Sequence, residues 1–153
     1  TRSLHAAFRS GHGGGGRDGT VAVGQQGRGD ATETAEWLAI KRPGQPFQAF
    51  PVPGRQLQAM AQYTASVGIH SELRLVALTA PRANRLFVWD LDSGAVRLDA
   101  PMPDCAGVGA VEDGFVVTSG QGRCRFYDCR QATLQPKPLE LPSAFWDNHL
   151  HLA

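Results

Sequence analysis

The residues best equipped for chemistry are five histidines, three cysteines and a run of glycines. His149 and His151 are two positions apart, which puts two imidazoles on one face of an extended strand. With Asp147 beside them they form the outline of a metal-binding tail. That spacing is thin support, because Asp147 and Asn148 serve equally well to fix a chain end. His5 and His70 each fall in or just after the first strand of a repeated unit, where a side chain can face a central channel. They are candidate ligand-binding residues. Gln25, Gln26 and Arg82 fall at the ends of central strands, where partners dock on a rim, and they complete the candidate binding set. No catalytic residue is assigned.

Other patterns fail on inspection. Gly13 to Gly16 lacks the Lys-Ser/Thr and the helix of a phosphate-binding loop, so it reads as a flexible hairpin loop. Ser119 is not a nucleophile elbow, because the pattern breaks at Val117. Cys124 and Cys129 are an odd number of positions apart and would face opposite sides of a straight strand, which argues against a joint metal site. The cysteines read as small buried hydrophobes. A Cys105–Cys124 bridge is the alternative in an oxidising compartment.

The elements that must position these residues are short strands in a repeating unit. The clearest copy is RLFVWDLDSGAVRL, from Arg85 to Leu98. A second is GRCRFYDCRQATLQ from Gly122, and a weaker one is AEWLAIKRPGQPFQ from Ala35. Repetition at about 40 residues is the sequence signature of propeller blades. Trp89-Asp90 and Tyr127-Asp128 stand at matching places before a hairpin. The aromatic suits packing between neighbouring sheets, and the Asp suits bonding to turn amides. The pattern predicts an all-β fold of about three four-stranded antiparallel blades, at residues 3–53, 63–101 and 105–142, with a closing tail at 143–153. Pro136 and Pro138 confine the last strand to an edge. Residues 55–62 carry the one helix-like pattern, with Leu57, Met60 and Ala61 on one face.

Composition narrows the class. The 153 residues are 42% hydrophobic and 19% charged, which is globular. A formal net charge of +1 gives no electrostatic case for nucleic acid or an anionic membrane. No apolar run approaches the roughly 20 residues that span a bilayer. The chain starts inside a plausible strand, without an initiator Met, and reads as a fragment or a processed product.

The segments YTASVGI, LVALTAPRANRLFVWDLDSGAV, MPDCAGVGAVEDGFVVTSGQGR and the closing Trp146-Asp147-Asn148-His149-Leu150 together resemble the bacterial domain-of-unknown-function family 1513. Members of that family look like seven-bladed propellers of the WD-repeat or YVTN type. The resemblance covers roughly Ser3 to Leu150 and suits the C-terminal part of such a protein. It implies a periplasmic protein linked to iron uptake, with an imelysin-like or haem protein as partner; no cofactor is expected. The expected function is a non-enzymatic binding or scaffold propeller. The alternatives are a propeller enzyme of the lactonase or quinoprotein type, or a truncated remnant without function. The enzyme reading needs metal ligands or acids converging from several blades, and only His5 and His70 are available for that.

Overall fold

A computed structural model describes residues 3–7, 18–26, 37–52, 54, 63–131 and 136–140, with Ser3–Ala7, Gln25 and Gln26 described in backbone only. The chain forms twelve described strands in three antiparallel sheets. Sheet A holds β1 (Ser3–Ala7), β2 (Val21–Gln26), β3 (Leu38–Lys41) and β4 (Phe47–Phe50). Sheet B holds β5 (Val67–His70), β6 (Leu75–Ala80), β7 (Arg85–Asp90) and β8 (Val96–Pro101). Sheet C holds β9 (Cys105–Val111), β10 (Gly114–Ser119), β11 (Cys124–Asp128) and β12 (Pro136–Leu139). Within each sheet the strand order is the chain order, so every connection is a simple meander. A one-turn 3-10 helix, Pro81–Ala83, joins β6 to β7. The helix-like stretch at 55–62 lies outside the described residues, as do the closing tail with Trp146, Asp147, Asn148, His149 and His151, and also His12.

The sheets meet through their first and second strands: β5 packs on β1, β2, β9 and β10, and β6 packs on β9. Such convergence of innermost strands is the blade arrangement of a propeller. Among the described residues no sheet closes on itself.

Alternation along the strands of sheet B explains why it sits in the middle. Val76, Leu78, Ala80, Phe87 and Trp89 face a core shared with Leu38, Ile40 and Phe50 of sheet A. The alternate residues Leu75, Ala77, Leu86 and Val88 face a second core with Val108, Phe115, Val117 and Tyr127 of sheet C. All six residues of β6 are buried. A strand covered on both faces reads as a continuous apolar run, and LVALTA is one.

Trp89 and Tyr127 occupy corresponding places. Trp89 pairs with Val76 and is followed by Asp90, which pairs with Leu75. Tyr127 pairs with Phe115 and is followed by Asp128, which pairs with Gly114. Both aromatics are fully buried. The indole of Trp89 donates to the carbonyl of Pro51 at 2.7 Å, just past the end of β4. The hydroxyl of Tyr127 meets the sulfur of Met102 at 3.8 Å, just past the end of β8. Each ring therefore reaches the residue that follows the outer strand of the preceding sheet.

The hairpin after each aromatic is closed by its Asp. One carboxylate oxygen of Asp90 accepts from the Asp92 amide at 3.1 Å and from the Ser93 amide and hydroxyl, both at 2.8 Å. Gly94 supplies the left-handed φ of +72° that ends this turn, and it lies against the Phe50 ring. Asp128 accepts from the Arg130 amide at 3.1 Å and from the Gln131 side chain at 2.8 Å.

Candidate functional site

Strand direction sorts the loops onto two rims. One rim carries the hairpins that follow first and third strands. The other carries the connections that follow second and fourth strands.

The first rim is tied up internally. Arg74, in a left-handed conformation at φ +54°, contacts Asp18 of sheet A at 2.5 Å and Asp92 of sheet B at 2.7 Å. The Thr20 amide, with Arg74, holds the Asp18 carboxyl below its ordinary range, and Arg74 does the same for Asp92. The Asp90 carboxyl is lowered by the Ser93 amide and hydroxyl. Arg130 pairs with Asp113 at 2.6 Å.

His70 also lies at this rim, at the end of β5 and opposite Leu75. It is buried. Its Nδ1 accepts from the Leu73 amide at 3.2 Å, which leaves the proton on Nε2 to donate to the Glu112 carbonyl at 3.1 Å. The ring stands edge-on to Phe115, with centroids 6.1 Å apart. Both ring nitrogens are thus engaged, Nδ1 within the β5–β6 turn and Nε2 in fastening sheet B to sheet C. His5 lies within β1 opposite Gly24, while His70 is at the hairpin end of its strand. Both residues fall in the first strand of their sheets, as expected, at different registers.

The second rim gathers the other sequence-selected residues. Gln25 and Gln26 end β2. Arg82 is exposed in the 3-10 turn after β6, with its guanidinium 4.9 Å from the centre of the Tyr63 ring, a cation–π distance. The match between Gln25-Gln26 and Pro81-Arg82 is shifted, because β6 itself ends at Thr79-Ala80 and Pro81 begins the following turn. The corresponding loop of sheet C, after β10, exposes Gln121 and Arg123. Ser119 anchors this loop by accepting from the Gln121 and Arg123 amides at 3.3 and 3.2 Å. Between the two loops, the Asn84 side chain accepts from the Asp104 amide at 2.8 Å, and the Gly120 amide donates to the Asp104 carbonyl at 3.1 Å. A side chain at Gly120 would come within 2.5 Å of the Asp104 carboxylate.

Gln121, Arg123, Asn84 and Asp104 were not singled out in the sequence. The Gly120-Gln121-Gly122 turn was the available signal. Trp37, also at this rim, buries its indole nitrogen with no hydrogen-bond partner among the described residues. No group of three or more potential metal ligands occurs among the described residues.

Two hydroxyls bind the inner strands to the sheets. Thr79 Oγ1 accepts from the Ser66 amide at 2.9 Å and donates to the Ala106 carbonyl of sheet C at 2.6 Å. Thr118, its counterpart, accepts from the Gly107 amide at 3.2 Å.

The cysteines are all free and buried, so the Cys105–Cys124 bridge is corrected. Cys105 donates to the Arg85 carbonyl at 2.9 Å, and Cys129 lies outside β11. Burial pushes the Cys105 thiol up to about 12 and the Cys129 thiol to about 11. Thiols of this kind are poor nucleophiles and poor metal ligands at neutral pH.

The fold has a recognisable counterpart among solved structures. The crystal structure of Saccharomyces cerevisiae Sqt1, a WD40 propeller, is similar with a TM-score of 0.55 and 15% identity. The similarity covers 77% of this chain and 30% of Sqt1, so this chain spans about a third of that propeller's length. No curated protein matches the sequence. Residues 9–153 match the family described as Protein of unknown function (DUF1513), and the chain belongs to that family.

Proposed function

We propose that the protein is a non-enzymatic binding or scaffold propeller, seven-bladed when complete, that docks a partner on the rim carrying Arg82 and Arg123. The supporting observation is the contrast between the rims. Polar groups on the His70 rim are spent on internal bonds. The opposite rim exposes Gln121 and Arg123, with Arg82 exposed beside them against the Tyr63 ring, on loops that follow equivalent strands of adjacent sheets. Loops on a rigid sheet scaffold are the usual place for recognition.

The proposed setting is the periplasm, and the proposed partner is an imelysin-like or haem protein of iron uptake. Both come from the family resemblance.

The test is a binding titration of the full chain against a purified imelysin-like protein and a periplasmic haem protein. Arg82→Glu with Arg123→Glu is expected to weaken binding at least tenfold while the thermal midpoint stays put. Unchanged affinity in that variant rejects the rim, and no affinity for either protein rejects the partner class.

A further inference from the structure

The junction of sheets B and C at the second rim is held more firmly than a loop crossing requires. Three segments meet there: the 3-10 turn after β6, the link from β8 to β9, and the loop after β10. The Met102 amide donates to the Asn84 carbonyl at 2.8 Å, the Asp104 amide to Asn84 Oδ1 at 2.8 Å, and the Gly120 amide to the Asp104 carbonyl at 3.1 Å. Asn84 and Asp104 both stand in the left-handed region, at φ +53° and +54°. Asn and Asp enter that region more readily than other side chains, though still at a cost, and such residues gather where ligands are clamped. The Asp104 carboxylate packs on Gly120, where an added Cβ would stand 2.5 Å from it.

This frame holds a set of donors outward. Asn84 Oδ1 is taken by Asp104, so the Asn84 side chain offers its NH2. Ser119 fixes the amides of Gln121 and Arg123, so both side chains leave from an anchored turn. Asn84, Gln121 and Arg123 are exposed. Among the described residues, the Asn84 NH2, the Gln121 side chain and the Arg123 guanidinium meet no hydrogen-bond partner. Arg85 is paired with Asp99, and Arg125 donates to the Pro101 carbonyl at 3.2 Å. Glu140 lies one residue past the Leu139–Cys124 pair and makes no ion pair with Arg123. Arg82, Arg123 and Arg125 outnumber Asp104 and Glu140 here.

We propose that this junction seats an acidic segment of the partner, with an aspartate or glutamate carboxylate received by Arg123 between the Asn84 and Gln121 amides. The proposal rests on the rim reading above and names the chemistry that the rim selects. A guanidinium and two amides all donate to a carboxylate, and charge-assisted bonds are roughly twice as strong as neutral ones. A basic segment would meet like charge. An apolar one would bury these donors without acceptors, which is unfavourable.

The experiment is fluorescence anisotropy of the full chain with a labelled glutamate-rich peptide, its glutamine counterpart and a short single-stranded DNA. The imelysin-like and haem proteins are titrated in parallel. The glutamate peptide is expected to bind, more weakly as salt rises, and the glutamine peptide is not. Arg123→Gln is expected to weaken binding about tenfold, the effect of one lost charge-assisted bond. Asn84→Asp keeps an oxygen for the Asp104 amide but replaces the NH2 with negative charge, and is expected to weaken binding with the thermal midpoint unchanged. No binding of the glutamate peptide, equal binding of the glutamine peptide, tighter binding of the DNA, or indifference to both substitutions overturns the proposal. The rim reading is judged separately. Loss of a partner protein in Arg82→Glu with Arg123→Glu keeps the rim even where the glutamate peptide fails. A bound glutamate peptide that depends on Arg123 keeps the junction even where both proteins fail.

Discussion

Sheets B and C are near copies by register, yet among the described residues only sheet B has another sheet on each face. In sheet B all of β6 is buried, and Thr79 bonds onward to sheet C. In sheet C the outer strand β12 is exposed throughout, and Thr118 has no acceptor closer than 3.5 Å among the described residues. The same sequence motif therefore contributes different stability according to whether a neighbour stands beside it. A blade is half of two interfaces, and its residues stabilise what they touch.

The comparison can be broken most forcefully at Gly114. An added Cβ there would sit 1.9 Å from the Tyr127 carbonyl. Gly114→Ala is expected to unpair β10 from β11, which overpacking figures of about 1–3 kcal/mol understate for a backbone clash. Soluble yield and chemical denaturation would show it. The matching position in sheet B is Leu75, opposite Asp90, and carries a buried side chain.

Next come the aromatic seals. Trp89→Ala and Tyr127→Ala are each expected to cost about 3–5 kcal/mol in urea denaturation. Trp89→Phe keeps most of the bulk and removes only the bond to Pro51, so about 1 kcal/mol is expected. Equal losses for Trp89→Phe and Trp89→Ala would mean that the ring contributes no packing between sheets.

The threonines sharpen the contrast. Thr79→Val abolishes the buried bond to Ala106 and leaves the half-buried Ser66 amide without its acceptor, at about 1–3 kcal/mol. Thr118→Val leaves the Gly107 amide without its acceptor but breaks no bond to another described sheet, and a smaller loss is expected. Equal losses would contradict the asymmetry of the two sheets.

The smallest effects are pH-dependent. Asp18, Asp90 and Asp92 have carboxyl values lowered by folding. Their contribution is present above the unfolded value near 3.9 and is lost as pH falls through the folded values. Buried thiols and Tyr127 act oppositely. Their folded values are raised by burial, so stability falls as pH climbs from the ordinary thiol value of 9.0 toward about 12. Melting curves across pH would show a decline on each side. Arg74→Ala should flatten the acid side, with only a small stability change, because its ion pairs are partly exposed.

Much of the scaffold was readable from residue pattern. The span of β7, Arg85–Asp90, and of β9, Cys105–Val111, came directly from apolar runs bounded by turn residues. The Asp92-Ser93-Gly94 hairpin followed from turn chemistry. The outer strand of sheet B extends to Pro101, past the expected Leu98, because its pairing with β7 continues through Arg85.

The site was less readable. Arg82 and the two glutamines were found from strand ends, but the fate of His70 was hidden, since Glu112 offers it only a backbone carbonyl from another sheet. Such long-range backbone partners leave no mark in the side-chain sequence. Arg74 was missed for a related reason: its partners Asp18 and Asp92 come from separate sheets.

The central claim is that each buried aromatic locks its own sheet to the one before it. Amide hydrogen exchange on the Trp89→Ala and Tyr127→Ala variants tests this directly. The account predicts faster exchange in β4 and β7 for the first variant with β11 unchanged, and in β8 and β11 for the second with β4 unchanged. Identical exchange patterns in the two variants, or loosening of β4 by Tyr127→Ala, would contradict it.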